Sequence, residues 1–185
     1  MLYSWDSSKD YKQEVLFKNP TALTSVTFAS DGRRIVIGDR AGLVRIIVAG
    51  SNLPPRILTG QSSTIDQVLF NRDNTFLATS SRDGSVRLWN WTMLSEDPIV
   101  FQNKLSDVSL KIQFSPDDQQ IIILAANEKQ KGNGIIAIWP ISSSVMADLL
   151  CKYINRNMTK DEWTNFVGAD LPYERTCNTV PENNK

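Results

Sequence analysis

The chain has 185 residues, 41% of them hydrophobic, with 20 Lys+Arg balancing 20 Asp+Glu. That length holds one or at most two domains with a sizeable core, and the composition excludes disorder throughout. With no net charge there is no global field to draw the chain to nucleic acid or anionic lipid, so both are disfavoured as partners.

Histidine is absent, which excludes Ser-His-Asp and Cys-His relays and histidine metal sites. Cys151 and Cys177 are too few and too far apart for a zinc site or a dense disulfide framework; free cytosolic thiols are the first reading and a single disulfide between the two is the alternative. No Gly-rich phosphate loop or metal-ligand cluster occurs, so no cofactor and no enzymatic activity are expected. The first six residues lack a basic and an apolar leader region, and the longest aliphatic run, Ile121 to Ala126, is too short for a bilayer. A cytoplasmic protein is expected.

In chain order, Leu2-Tyr-Ser-Trp-Asp6 opens as a strand, and Trp5, Ile47 and Trp89 follow one another at 42-residue intervals, each ending an apolar run. The same offset lays Val26 on Val68, Phe28 on Phe70, Asp31 on Asp73, Arg40 on Arg82 and Gly42 on Gly84. A third copy, offset by 44, brings Ile112, Phe114 and Asp117 to those places. Gly134 and Trp139 lie 50 beyond Gly84 and Trp89, so one turn of this copy, within 127–134, is longer.

Each unit carries strand signals: Ser25 to Phe28, Ile35 to Ile37 and Leu43 to Val48 in the first, with Gln67 to Phe70, Phe76 to Thr79 and Val86 to Trp89 in the second. Asp31-Gly32, Asp73-Asn74 and Asp117-Asp118 supply hairpin turns, where these residue types tolerate positive φ. Fourth runs at Ile57 to Thr59 and Ile99 to Phe101 complete four short strands per unit, the pattern of a propeller blade. The fold class is therefore all-β, a partial β-propeller of roughly three to three and a half blades.

The stretch Leu77-Ala-Thr-Ser-Ser-Arg-Asp-Gly-Ser-Val-Arg-Leu-Trp-Asn90 resembles the signature of the WD-repeat β-propeller family, and the resemblance extends over residues 1 to 141. It implies that Thr79, Asp83 and Trp89 belong to a buried hydrogen-bond network pinning the inner turn of the blade. Two departures stand beside it: Gly60-Gln61 occupies the place of the family's Gly-His pair, and Ile37 and Ala41 replace Thr79 and Asp83 in the first unit. Rings of the family close with about seven blades, so closure requires further blades in cis or a second copy of the chain. The expectation is the C-terminal part of a longer protein, with pairing of two copies as the other route.

After Pro140 the pattern turns helical. Ser142-Ser-Ser144 offers an N-cap before Val145 to Ile154, and Thr159-Lys-Asp-Glu162 has the form of a capping box, with Gly168 as the stop. The expected division is residues 1–143 as propeller, in units of about 21–60, 61–104 and 105–143, and 144–185 as a helical tail. Trp163, Phe166, Leu171 and Tyr173 are expected to dock on the last blade. The segment from Asn155 to Cys177 resembles the tail ending many bacterial WD-repeat proteins, which implies a larger signalling protein.

Asp83 and Asp117 read as turn residues rather than catalytic carboxylates. Trp5, Trp89 and Trp139 read as blade core, and Trp91 as a weaker core candidate. Arg40 and Arg82 immediately precede the turn that a propeller presents to partners, and Lys129 and Lys131 lie in the equivalent turn of the third unit. Solvated surface charge is the plain reading of all four; a partner's carboxylate or acidic peptide is the functional one. The function expected is a non-catalytic protein-interaction scaffold or sensor module with a protein or peptide partner. The alternatives are a propeller enzyme whose catalytic part lies upstream, and a truncated remnant.

Overall fold

The computed structural model describes residues 1–6, 10, 12–102, 108–126, 134–168, 170–175, 177, 178 and 180. Two compact units emerge, Met1–Ile138 and Trp139–Lys185. Strands β1 (Leu2–Asp6) and β2 (Lys12–Phe17) form an antiparallel pair. β3 (Leu23–Phe28), β4 (Arg34–Asp39), β5 (Val44–Val48) and β6 (Arg56–Leu58) make a four-stranded meander in chain order. β7 (Ile65–Phe70), β8 (Phe76–Ser81), β9 (Ser85–Asn90) and β10 (Ile99–Gln102) repeat it. β11 (Ser109–Phe114), β12 (Gln120–Ala126) and β13 (Gly134–Pro140) form a three-stranded sheet. Open sheets of this kind, set side by side, are the all-β propeller architecture that the repeat implies.

The second strand of each full blade is buried on both faces, which is why Ile35-Val-Ile37 and Leu77-Ala-Thr79 read as continuous runs rather than alternating ones. The hairpin turns agree in detail. Gly32, Asn74 and Asp118, equivalent in the repeat, hold φ of 64°, 54° and 55°. Asn and Asp tolerate this left-handed conformation better than other side-chain-bearing residues.

Neighbouring blades are stitched at two levels. The inner strands are joined where Ser25 Oγ accepts the Val68 amide at 2.9 Å and Gln67 Oε1 accepts the Ile112 amide at 3.0 Å. At the turns, Asn74 Oδ1 accepts the Ser30 amide at 2.9 Å, and Asp118 Oδ2 accepts the Asp73 amide at 3.1 Å. Blade packing also explains why one repeat position differs in burial. Val68 and Ile112 are each 3% exposed, whereas Val26 is 51% exposed, because the sheet preceding β3 has only the two strands β1 and β2 among the described residues.

One aromatic expectation holds and one needs correction. Trp91 belongs to the core: it packs edge-on against Phe70 with centroids 4.7 Å apart, beneath the Arg34 guanidinium. Trp139 is 47% exposed on β13, the outer strand of its sheet among the described residues. Trp89 is buried, and the side chain of Trp5 lies outside what is described.

In the second unit, α1 (Ser143–Cys151) has Ser142 at its N-cap, but the Ser142 hydroxyl bonds that of Ser144 instead of a helix amide. α2 (Lys160–Phe166) opens with the Thr159–Glu162 capping box, both reciprocal bonds formed. The Arg156 guanidinium, together with the Thr159 amide, brings the Glu162 carboxyl down to about 2. Trp163 stacks edge-on with Tyr173, and its indole donates to the Leu171 carbonyl.

The reading of Cys151 and Cys177 as free thiols is overturned: they form a disulfide across a Cα separation of 5.6 Å. Buried Asn157 makes the approach possible. Its amide donates to the carbonyls of Cys177 and Val180 and its oxygen accepts the Cys177 amide, pinning the last turn beside α1.

Candidate functional site

The turns β4–β5 and β8–β9 lie at the end of the blades where β3 and β7 begin. In the second blade, the Trp89 indole donates to Thr79 Oγ1 at 3.1 Å, joining two of the residues that the repeat signature singles out. Asp83 stands apart from this pair. Its Oδ1 accepts from the amide and hydroxyl of Ser85, and its Oδ2 accepts the Ser62 amide at 2.8 Å. Burial opposes the charge of Asp83, but these donors outweigh it and hold the carboxyl below its ordinary range. Gln61, in the histidine place of the signature, spans the gap from below, donating to the carbonyls of Thr79 and Ser85. Its Oε1 is buried with no partner among the described residues.

The first blade solves the same problem with different residues. Asp39, at the end of β4, is fully buried and accepts from Asn19, Thr21, the Arg45 guanidinium and the amides of Ala41 and Leu43, at 2.5–3.0 Å. Burial raises the cost of its charge, yet this set of donors prevails and the carboxyl is held well below the usual carboxylate range. Sequence reasoning passed over Asp39. The available signal was its place three residues before Gly42, at the end of an apolar strand, with Arg45 two residues into the next.

Two glycines allow the blades to close up. A Cβ on Gly38 would stand 2.4 Å from Ile65 Cγ2 of the next blade. Gly42, at φ +84°, would place one 2.8 Å from the Ser63 carbonyl.

Between the two turns lies a cavity of about 440 Å³ lined by Thr24, Arg40, Thr64, Ile65, Asp66 and Arg82. The two arginines therefore share one recess. They are not equivalent within it. Arg82 Nε donates to Asp66 Oδ1 at 3.0 Å, and Asp66 Oδ2 accepts the Leu110 amide at 2.9 Å. Arg40 is exposed, and its backbone is fixed by the Ala22 carbonyl and the Thr64 hydroxyl. Lys129 and Lys131 lie outside the described residues. Asp117 is a turn residue, accepting from the Ser115 hydroxyl and the Gln119 amide. Among the described residues, no three or more Cys, Asp or Glu gather as a metal site, and no helix is long and apolar enough to cross a membrane.

Residues 53–90, the span of β6 to β9, match the family "WD domain, G-beta repeat". The chain is similar to the WD repeat-containing protein 90 of Homo sapiens, 26% identical over 137 residues. It is also similar to the WD repeat and HMG-box DNA-binding protein 1 of Xenopus laevis, 33% identical over 75 residues. These alignments take in 68% and 40% of the chain, and 7% of the length of either relative. Among solved structures, a chain of the mitotic checkpoint complex superposes with a TM-score of 0.58 at 22% identity, covering 77% of this chain and 43% of that one. The computationally designed Ika4 protein superposes with a TM-score of 0.52 at 18% identity, covering 69% of this chain and 71% of that one. The fold is a row of β-propeller blades, and residues 53–90 match the WD repeat family.

Proposed function

We propose that this chain is a non-catalytic protein-interaction module, with residues 1–143 as the binding propeller segment and 144–185 as its helical tail. It acts as the regulatory part of a larger signalling protein, of bacterial kind by the likeness of its tail. The observation that carries the reading is the pairing of Arg40 and Arg82 in one recess at the blade ends, while Asp39 and Asp83 are saturated with structural donors. Carboxylates held below their ordinary range by fixed donors stabilise turns and are poor proton acceptors. Loops on a rigid β scaffold are where binding residues concentrate. The WD repeat at residues 53–90 supports a protein partner. Further blades in cis, or a second copy, complete the ring.

The test is quantitative affinity purification from the native cell with the tagged chain, its Arg40→Glu variant and an Arg72→Glu control in the β7–β8 turn at the opposite blade end. A partner lost with Arg40→Glu and retained with Arg72→Glu is the expected result. Equal recovery with all three baits argues against this face, and substrate turnover by the purified chain argues against a non-catalytic role.

A further inference from the structure

We infer that the cavity between β3 and β7 receives one carboxylate side chain of an acidic peptide, with Arg40 as its counter-charge. This rests on the interaction reading above and names the chemistry of the partner. The repeat is broken at one position of this recess. The 42-residue offset lays Arg40 on Arg82 and Thr24 on Asp66. In the second blade the guanidinium has a built-in carboxylate; in the first, the same place holds a neutral hydroxyl.

Asp66 does not make up the difference. Its two oxygens are taken by Arg82 and by the Leu110 amide of the next inner strand. Among the described residues the lining holds two guanidinium groups and one carboxylate, an excess of a single positive charge inside a partly enclosed recess. A volume of about 440 Å³ suits one side chain and its flanking backbone. Thr24 and Thr64 place hydroxyls on the wall. Thr64 also donates to the Arg40 carbonyl at 3.2 Å, which fixes the turn carrying the guanidinium and lowers the ordering cost of binding. One excess positive charge matches a carboxylate, whereas a phosphate monoester brings about −1.5 to −2 and calls for more cations.

Thr24→Asp gives a sharp test, because it installs in the first blade the partner that Arg82 already has. The probe is a fluorescein-labelled peptide containing six consecutive glutamates, with glutamine and phosphoserine twins, read by fluorescence anisotropy at low salt. The glutamate peptide is expected to bind the wild-type chain and to bind Thr24→Asp and Arg40→Ala about tenfold more weakly. Thermal melts check that both variants are folded. Equal affinity for the glutamine twin, or variants within twofold of wild type, would overturn the proposal. A phosphoserine twin bound more than tenfold tighter would replace carboxylate by phosphate. Absence of peptide binding together with loss of a cellular partner in Arg40→Glu would sink this inference alone; absence of both effects sinks the interaction reading as well.

Discussion

Gln67 on β7 accepts the Ile112 amide of β11 through Oε1 at 3.0 Å, the same service that Ser25 on β3 performs for the Val68 amide of β7. An inner strand thus donates to a side chain of the preceding blade at equivalent repeat positions. Blade association is therefore directional as well as hydrophobic. Gln67→Leu preserves bulk but leaves the Ile112 amide without its acceptor, at a cost of about 1–3 kcal/mol. Urea unfolding measures the loss, and faster hydrogen exchange at the Ile112 amide locates it.

Asp39 makes the chain acid-sensitive. Its folded-state acidity lies below the unfolded value, so its contribution is complete above the ordinary aspartate range and fades as pH falls through that range toward the folded value. Thermal melts between pH 7 and pH 3 should show wild-type stability dropping below about pH 4. Asp39→Asn, which strips the buried Arg45 of its counter-charge, should be less stable at pH 7 by about 3 kcal/mol and should show a shallower acid slope.

Gly38 and Ile65 have no slack between them. Gly38→Ala forces the new methyl into Ile65 and should cost about 1–3 kcal/mol. Shortening the partner with Ile65→Ala in the same chain should recover part of that loss, and a double-mutant cycle on chemical unfolding yields the coupling. Additive effects would show that the contact does not set the blade spacing.

Thr79→Val keeps the shape of the side chain and removes the acceptor of the Trp89 indole, which is buried. The expected loss is about 1–3 kcal/mol. Thr79→Ser retains the hydroxyl and should recover most of it, a difference resolved by paired thermal melts.

In the second unit, the disulfide and Asn157 hold the final turn together. Reduction, or Cys151→Ser with Cys177→Ser, should destabilise this unit by about 2–4 kcal/mol. Asn157→Ala removes three hydrogen bonds from the same turn. Both changes should speed tryptic cleavage after Arg175 relative to the oxidised wild type, as read by mass spectrometry.

The blades were legible in local pattern. The 42-residue spacing, the β-branched runs and the Asp-Gly, Asp-Asn and Asp-Asp turns specify each hairpin, because strand alternation and positive φ are local backbone properties written in neighbouring residues. The Thr159–Glu162 capping box was legible for the same reason. Which side chains meet across longer separations follows from the packing of sheet on sheet. Asp39 draws donors from Asn19 and Thr21, about 20 residues upstream, and occupies a repeat position different from that of Asp83, so no periodic signal marked it. Cys151 meets Cys177 because Asn157 folds the last turn back. Arg40 and Arg82 share a recess because adjacent blades bring two successive turns together, and their inequality comes from Thr24 standing where Asp66 stands in the next blade. Such meetings depend on how closely and in what register one sheet packs on the next, which local pattern does not encode.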